Sequence, residues 1–147
     1  SSDVCSSDLK GGGVNPRPFF PSQAIPYNPE ELSAFEVGVK STLANNHVRL
    51  NAAVFTNDFK DLQLTLTRCD AFSPFPGAPC AMSANVGDAD IKGIELEAEI
   101  RPTDRLGIDF SISSLDFQYR RVDPLTAVKL DMKTIYTPDQ KRSVGIQ

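Results

Sequence analysis

Three glutamates alternate with apolar residues in Gly93-Ile-Glu95-Leu-Glu97-Ala-Glu99-Ile-Arg101. Carboxylates are the residue type of general acid–base catalysis. In an extended strand, however, residues two apart share a face and stand about 6–7 Å apart, so a wetted wall is the simpler account of Glu95, Glu97 and Glu99. Just upstream, Asp88, Asp90, Gly93 and Glu99 hold the first, third, sixth and twelfth places of a calcium-binding loop. Lys92 puts a cation where the fifth oxygen ligand belongs, Glu95 replaces the apolar eighth residue, and no helical periodicity flanks the stretch. The match reads as coincidence inside an alternating strand, and no metal is expected. His47 is the only histidine and stands beside a turn with no cysteine or carboxylate cluster. No Ser/His/Asp set, glycine-rich phosphate loop or C-x-x-C pair occurs, so neither an enzyme nor a cofactor is expected.

Cys69 and Cys80 are eleven apart and flank a Pro/Ala-rich stretch. A loop-closing disulfide is the preferred reading, worth about 2–3 kcal/mol for so short a loop and implying an oxidising compartment. Two unpaired loop thiols are the alternative. The third cysteine, Cys5, falls in Ser-Ser-Asp-Val-Cys-Ser-Ser-Asp-Leu. This low-complexity nonapeptide resembles a translated sequencing-adaptor remnant, and residues 1–9 are expected to be a non-native or disordered tail. Residues 1–13 show neither a basic n-region nor an apolar h-region, so no secretory signal is read there.

The elements that must position these residues are strands. Phe35, Val37 and Val39 alternate with Glu36, Gly38 and Lys40, predicting a strand of about ten residues from Ser33. Residues 10–32, with five prolines, read as an irregular segment before it. Asn45-Asn46 suit a tight turn. Val48, Leu50, Ala52 and Val54 then alternate with Arg49, Asn51, Ala53 and Phe55, and no Pro or Gly interrupts Val48–Arg68. One strand of about 20 residues is predicted, far above the usual 5–6, with a bulge near 55–60. Residues 68–84 read as a loop and Asn85–Arg101 as the next strand, with Pro102 stopping its ladder. Leu106, Ile108, Phe110 and Ile112 alternate with Gly107, Asp109, Ser111 and Ser113. The apolar register changes after Ser114, which predicts a second bulge there. Residues 121–139 read as a mixed loop and Arg142–Ile146 as the start of a further strand.

Connections thus alternate short, long, short, long. Short turns at one end and long loops at the other mark outer-membrane barrels. In that reading the apolar registers face lipid, and Glu36, Lys40, Arg49, Asn51, Glu95, Glu97, Glu99, Arg101 and Asp109 line a watery lumen. Pattern alone does not separate this from a secreted or periplasmic β-sandwich binding module, whose apolar face would be core; segment length and loop sorting favour the barrel. Composition is compatible with both. Hydrophobic residues make up 40% and charged residues 23%, near the average for globular chains. The net charge of −4, with no basic stripe, argues against nucleic acid. No run of about 18 apolar residues exists, which excludes a membrane helix but not a membrane barrel.

Four motifs in order carry a resemblance. They are Tyr27-Asn-Pro-Glu30 leading into Phe35-Glu36-Val-Gly38-Val-Lys40-Ser41; Leu50-Asn-Ala-Ala-Val-Phe55 followed by Asp61-Leu62-Gln63; Asn85-Val-Gly87-Asp-Ala89; and Gly93-Ile-Glu95-Leu-Glu97. Together they resemble the barrel of TonB-dependent outer-membrane receptors, with Val86 in place of that family's common alanine. The resemblance implies an all-β, antiparallel up-and-down architecture, with residues 33–147 forming about five strands of a larger transmembrane barrel in a Gram-negative cell outer membrane. It implies energised uptake of a scarce small-molecule ligand of the siderophore, cobalamin or glycan class. The partners it implies are outer-membrane lipid, the remainder of the barrel with its plug, and the TonB complex acting through that plug. Neither plug nor TonB box is recognised in this sequence, which is therefore expected to be an internal barrel fragment.

Overall fold

The computed structural model describes residues 4–103, 105–134 and 137–147. They form one six-stranded antiparallel sheet in the order β1 (Val4–Lys10), β4 (Glu30–Leu43), β5 (Val48–Leu66), β6 (Met82–Thr103), β7 (Leu106–Val122) and β8 (Gln140–Ile146). Between β1 and β4, β2 (Gly13–Val14) and β3 (Pro26–Tyr27) make a two-residue ladder of their own. Every long strand pairs with the next long strand along the chain, so the topology is up-and-down. The tight connections, after β4 and after β6, lie at one end, and the long ones, after β1, β5 and β7, lie at the other.

Alternation sets the strands: β5 has 19 residues, close to the roughly 20 that the sequence predicts, while β6 has 22 and outruns the expected Asn85–Arg101 at both ends. Ala44, Asn45 and Asn46 all adopt positive φ in the tight turn after β4, the geometry that asparagine tolerates best among non-glycine residues. Among the described residues no second sheet covers the apolar face. Ile94 is 60% exposed and Val144 69%, which a sandwich core does not permit. The β-sandwich alternative is therefore not the architecture.

Several local expectations are corrected. Residues 4–9 are not outside the sheet. They belong to β1, which pairs along β4 from Val4↔Glu36 to Lys10↔Glu30. The edge of a 14-residue β4 offers a row of backbone donors and acceptors that an extended segment satisfies whatever its side chains. Within 10–32 the chain is more regular than expected, and β4 starts at Glu30, directly after Pro29. β6 begins inside the expected loop and passes Pro102, with a register shift between Ile100 and Thr103 that tolerates the missing N–H. The bulge in β5 falls between Phe59 and Leu62, where Asp61 has φ 51°. No bulge occurs at Ser114: β6 and β7 pair without a shift from Ile100↔Ile108 to Ala89↔Tyr119. What changes after Ser114 is which face is apolar.

The buried cluster sits at the long-loop end. Leu62, Leu66, Met82, Ala84, Val86, Ala89, Phe117 and Tyr119 form it, and Ile25, Phe72 and Val128, one from each long loop, pack against it.

Candidate lumenal wall and outer rim

Cross-strand register decides what shares a face, because directly paired residues point the same way. Lys40, Asn51, Glu97, Ser111 and Ser143 form one row across five strands. Thr42, Arg49, Glu99, Asp109 and Gly145 form the row below, and Gly38, Ala53, Glu95, Ser113 and Lys141 the row above. Glu36 lies on the same face, two residues from Gly38, and Arg101 two residues beyond Glu99. All nine residues read from the sequence as one wall therefore share one face. On it the Arg49 guanidinium lies 3.6 Å from Glu99, whose other oxygen meets Arg101. Asn51 Nδ2 donates to Glu97 at 3.3 Å, and Gln147 Nε2 donates to Asp109 at 3.1 Å. A trough of about 640 Å³ runs along this face between Ala34, Glu36, Gly38, Ala53, Glu95 and Glu97.

The opposite face is built from Val37, Val39, Leu50, Ala52, Val54, Leu96, Ala98 and Phe110 with their row partners. Its charged border is oblique. It passes from Arg142 on β8 through Asp116 on β7 and Lys92 on β6 to Asp58 on β5 and Glu31 on β4. Strands tilted across a membrane produce such a staircase, since a level plane cuts successive strands at successive residues.

Beyond that border lies a side-chain knot that sequence reasoning did not foresee. Asn85 Oδ1 accepts from the Asn28 N–H at 2.7 Å, and Asn85 Nδ2 donates to the carbonyls of Asn28 (3.0 Å) and Asp61 (2.6 Å). Gln63 Nε2 donates to the Asn28 carbonyl at 2.9 Å, and the Gln63 N–H donates to Glu30 at 2.7 Å. Asp88 accepts from the Asp61 N–H at 3.0 Å. Gly87, at φ 138°, lies so close to β7 that a Cβ there would stand 1.9 Å from the Arg121 carbonyl. Three of the motifs behind the resemblance (Tyr27-Asn-Pro-Glu30, Asp61-Leu62-Gln63 and Asn85-Val-Gly87-Asp-Ala89) thus meet at one place, the irregular stretch of β5 and β6. Their spacing was the available signal; their convergence was not readable.

Two adjacent arginines lace the same region. Arg121 binds Asp88 (2.7 Å) and Asp61 (3.0 Å), while Arg120 binds Asp90 (2.7 Å) and Asp58 (3.1 Å). Each arginine ties β7 to both β6 and β5. The hydrogen bonds from Arg121 hold the Asp88 carboxyl below its ordinary range, and the paired carboxylates raise the Arg121 guanidinium in turn. The calcium reading has no support in this geometry: Asp88 and Asp90 are engaged by arginines, and Glu95 and Glu99 lie on the other face from Asp90. His47 Nδ1 donates to the Arg101 carbonyl at 2.7 Å, joining the two tight turns.

On the charged face itself the sequence reading stopped short of the outer end. Phe55 and Leu115 flank Gly93 in the next row up, and Phe117 and Tyr119 continue that face. The Phe117 and Tyr119 rings meet edge-to-face at 4.8 Å. The wall is charged toward the tight turns and apolar beneath the long loops.

Residues 6–146 match the family model "TonB dependent receptor-like, beta-barrel". The chain belongs to this family. Among curated proteins, the one named "Probable TonB-dependent siderophore receptor PiuA" from Acinetobacter baumannii is 28% identical over 89 residues, covering 60% of this chain and 10% of that protein. Among solved structures, the ferric yersiniabactin uptake receptor FyuA from Yersinia pestis superposes with a TM-score of 0.72 at 21% identity, over 98% of this chain and 20% of that one. The alcaligin outer-membrane receptor FauA from Bordetella pertussis gives 0.57 at 14% identity, over 98% of this chain and 22% of that one. The chain thus spans about a fifth of these receptors or less. TonB-dependent receptors are a family of outer-membrane transporters, not enzymes. The sheet is a segment of a transmembrane barrel.

Proposed function

We propose that this chain supplies barrel wall and long outer loops to a receptor that takes up a ferric siderophore, driven by the TonB complex through a plug domain. The charged face lines the lumen and the apolar face meets lipid. The observation that carries this reading is the two-faced sheet: five strands put every residue of the predicted wall on one side and an uncovered apolar surface on the other. Siderophores are favoured over cobalamin or glycans because PiuA, FyuA and FauA are all named for siderophores or siderophore uptake. The tight turns then face the periplasm, and the loops around Cys69–Cys80 face outward.

The ligand class is tested in an iron-limited strain lacking the full receptor and then complemented with it. Uptake of radiolabelled ferric siderophores from a panel is expected to depend on the receptor and to stop when the proton gradient is collapsed. Receptor-dependent uptake of cobalamin or an oligosaccharide, with no siderophore transported, would overturn it. The faces are tested separately by spin labels on Leu96→Cys and Glu97→Cys in the full receptor. Dissolved oxygen is expected to relax the first label more strongly; the reverse order refutes the assignment.

A further inference from the structure

The connection 11–29 is held at two places of different construction. Its foot is the rim knot, where Asn28 is gripped by Asn85 and Gln63. Its tip is Gln23, a glutamine with no exposed surface. Gln23 Nε2 donates to Ser73 Oγ and to the Pro79 carbonyl, both at 3.1 Å, and its Oε1 accepts from the Phe19 N–H at 3.0 Å. Ser22 Oγ donates to the Phe72 carbonyl at 2.7 Å beside it, and Phe20 meets Phe75 edge-to-face. Ser73 and Pro79 both lie inside the loop closed by the disulfide of Cys69 and Cys80, the Cα atoms of these two cysteines being 5.9 Å apart. Between tip and foot is a cavity of about 240 Å³ walled by Ile25, Pro26, Asn28, Asn85, Arg121 and Thr126.

We infer that residues 11–29 are a strap over the outer mouth, pivoting on the Asn28 foot, and that Gln23 is its latch in a socket shaped by the Cys69–Cys80 bridge. A buried carboxamide is a good latch because it has two stable outcomes. Either all its hydrogen bonds are made, or it returns to water, since staying buried without partners is costly. The socket needs two acceptors, Ser73 Oγ and the Pro79 carbonyl, held at one spacing although they are six residues apart in a loop whose local hydrogen bonds, Gly77 N–H to Asp70 and Ala78 N–H to the Phe75 carbonyl, do not join its two ends. The bridge supplies that constraint. The foot needs no bridge, because its partners lie on β5 and β6. The inference requires only that the long loops face outward and stands whichever ligand the receptor takes.

Hydrogen–deuterium exchange on the full receptor in detergent tests it, with heat-modifiable gel migration as the check that the barrel is intact. Gln23→Leu is expected to speed exchange in 17–24 by about tenfold or more while 26–30 stays protected. Cys69→Ser/Cys80→Ser is expected to give the same pattern. Asn85→Ala is expected to release 26–30 instead. The wild-type receptor treated with a dithiol needs no variant: the reagent is oxidised to its own disulfide as the bridge takes up two electrons and two protons. Segment 17–24 is expected to open on that treatment. Protection of 17–24 that survives both Gln23→Leu and loss of the bridge overturns the latch. Release of 26–30 together with 17–24 in Gln23→Leu overturns the pivot.

Discussion

At the scale of single residues, the rim is the most demanding part of the molecule. Gly87 combines positive φ with a backbone contact that leaves no room for a Cβ. Gly87→Ala is expected to destabilise the receptor by about 1–3 kcal/mol from the backbone conformation alone, with the steric clash added. The measurement is the temperature at which the full receptor loses heat-modifiable migration, compared with Gly107→Ala, where only the Gln147 Cβ lies within reach at 3.7 Å. Asp88 makes a second prediction, of pH dependence. Its carboxyl titrates below its ordinary 3.8 because Arg121 and the Asp61 N–H favour the charged form. A depressed folded value means that the stabilisation is fully present above about pH 4 and is lost as pH falls through the lower folded value. Amide protection around Asp61 is expected to weaken selectively below pH 3.8, and in Asp88→Asn to be weak already at pH 7. Protection that is unchanged in Asp88→Asn at pH 7 would show that the clamp carries no weight.

At the scale of elements, a strand's two faces meet different solvents, so adjacent substitutions on β6 are expected to behave in opposite ways. Under the proposed assignment Leu96→Arg places a guanidinium on the lipid side within the apolar band, at a cost of about 2–4 kcal/mol near the bilayer midplane. Glu97→Arg, one residue along, stays on the charged wall and loses mainly the Asn51 contact. Receptor yield in outer-membrane fractions is expected to fall sharply for the first and little for the second. Equal losses would mean that the sheet is buried in protein on both faces. Much of this level was legible in sequence. The alternation of Val48–Val54 and Ile94–Ile100 located the faces, because a period of two has one structural meaning. The change after Ser114 reads as a bulge because sequence shows only that apolar parity changes. Pairing shows that the strand runs straight and that the charged face becomes apolar, with the long loops packing against it.

At the scale of the whole molecule, the sheet has edges at β1 and β8, and nothing among the described residues covers its apolar face. Neither condition is stable for an isolated chain in water or lipid. Expressed alone, these 147 residues are expected to aggregate and to show no cooperative monomeric unfolding transition by denaturant titration. Within the full receptor the same residues are expected to be part of one heat-modifiable barrel. A soluble monomer unfolding in a single sharp step would contradict the barrel reading.

The sequence by itself determined the strand periodicity, the sorting of tight turns from long loops, which nine polar residues share one face, and the family. These follow from local rules: alternation, turn chemistry and motif order act within a few residues of chain. Only the tertiary structure decided that Asn28, Gln63 and Asn85 form one knot, that Arg120 and Arg121 each span three strands, and that Gln23 enters the loop closed by Cys69 and Cys80. Those contacts join residues 24 to 62 positions apart. Their partners are fixed by the registers of long strands and by the irregular pairing near Asp61 and Val86, where a slip of one residue redirects every side chain that follows.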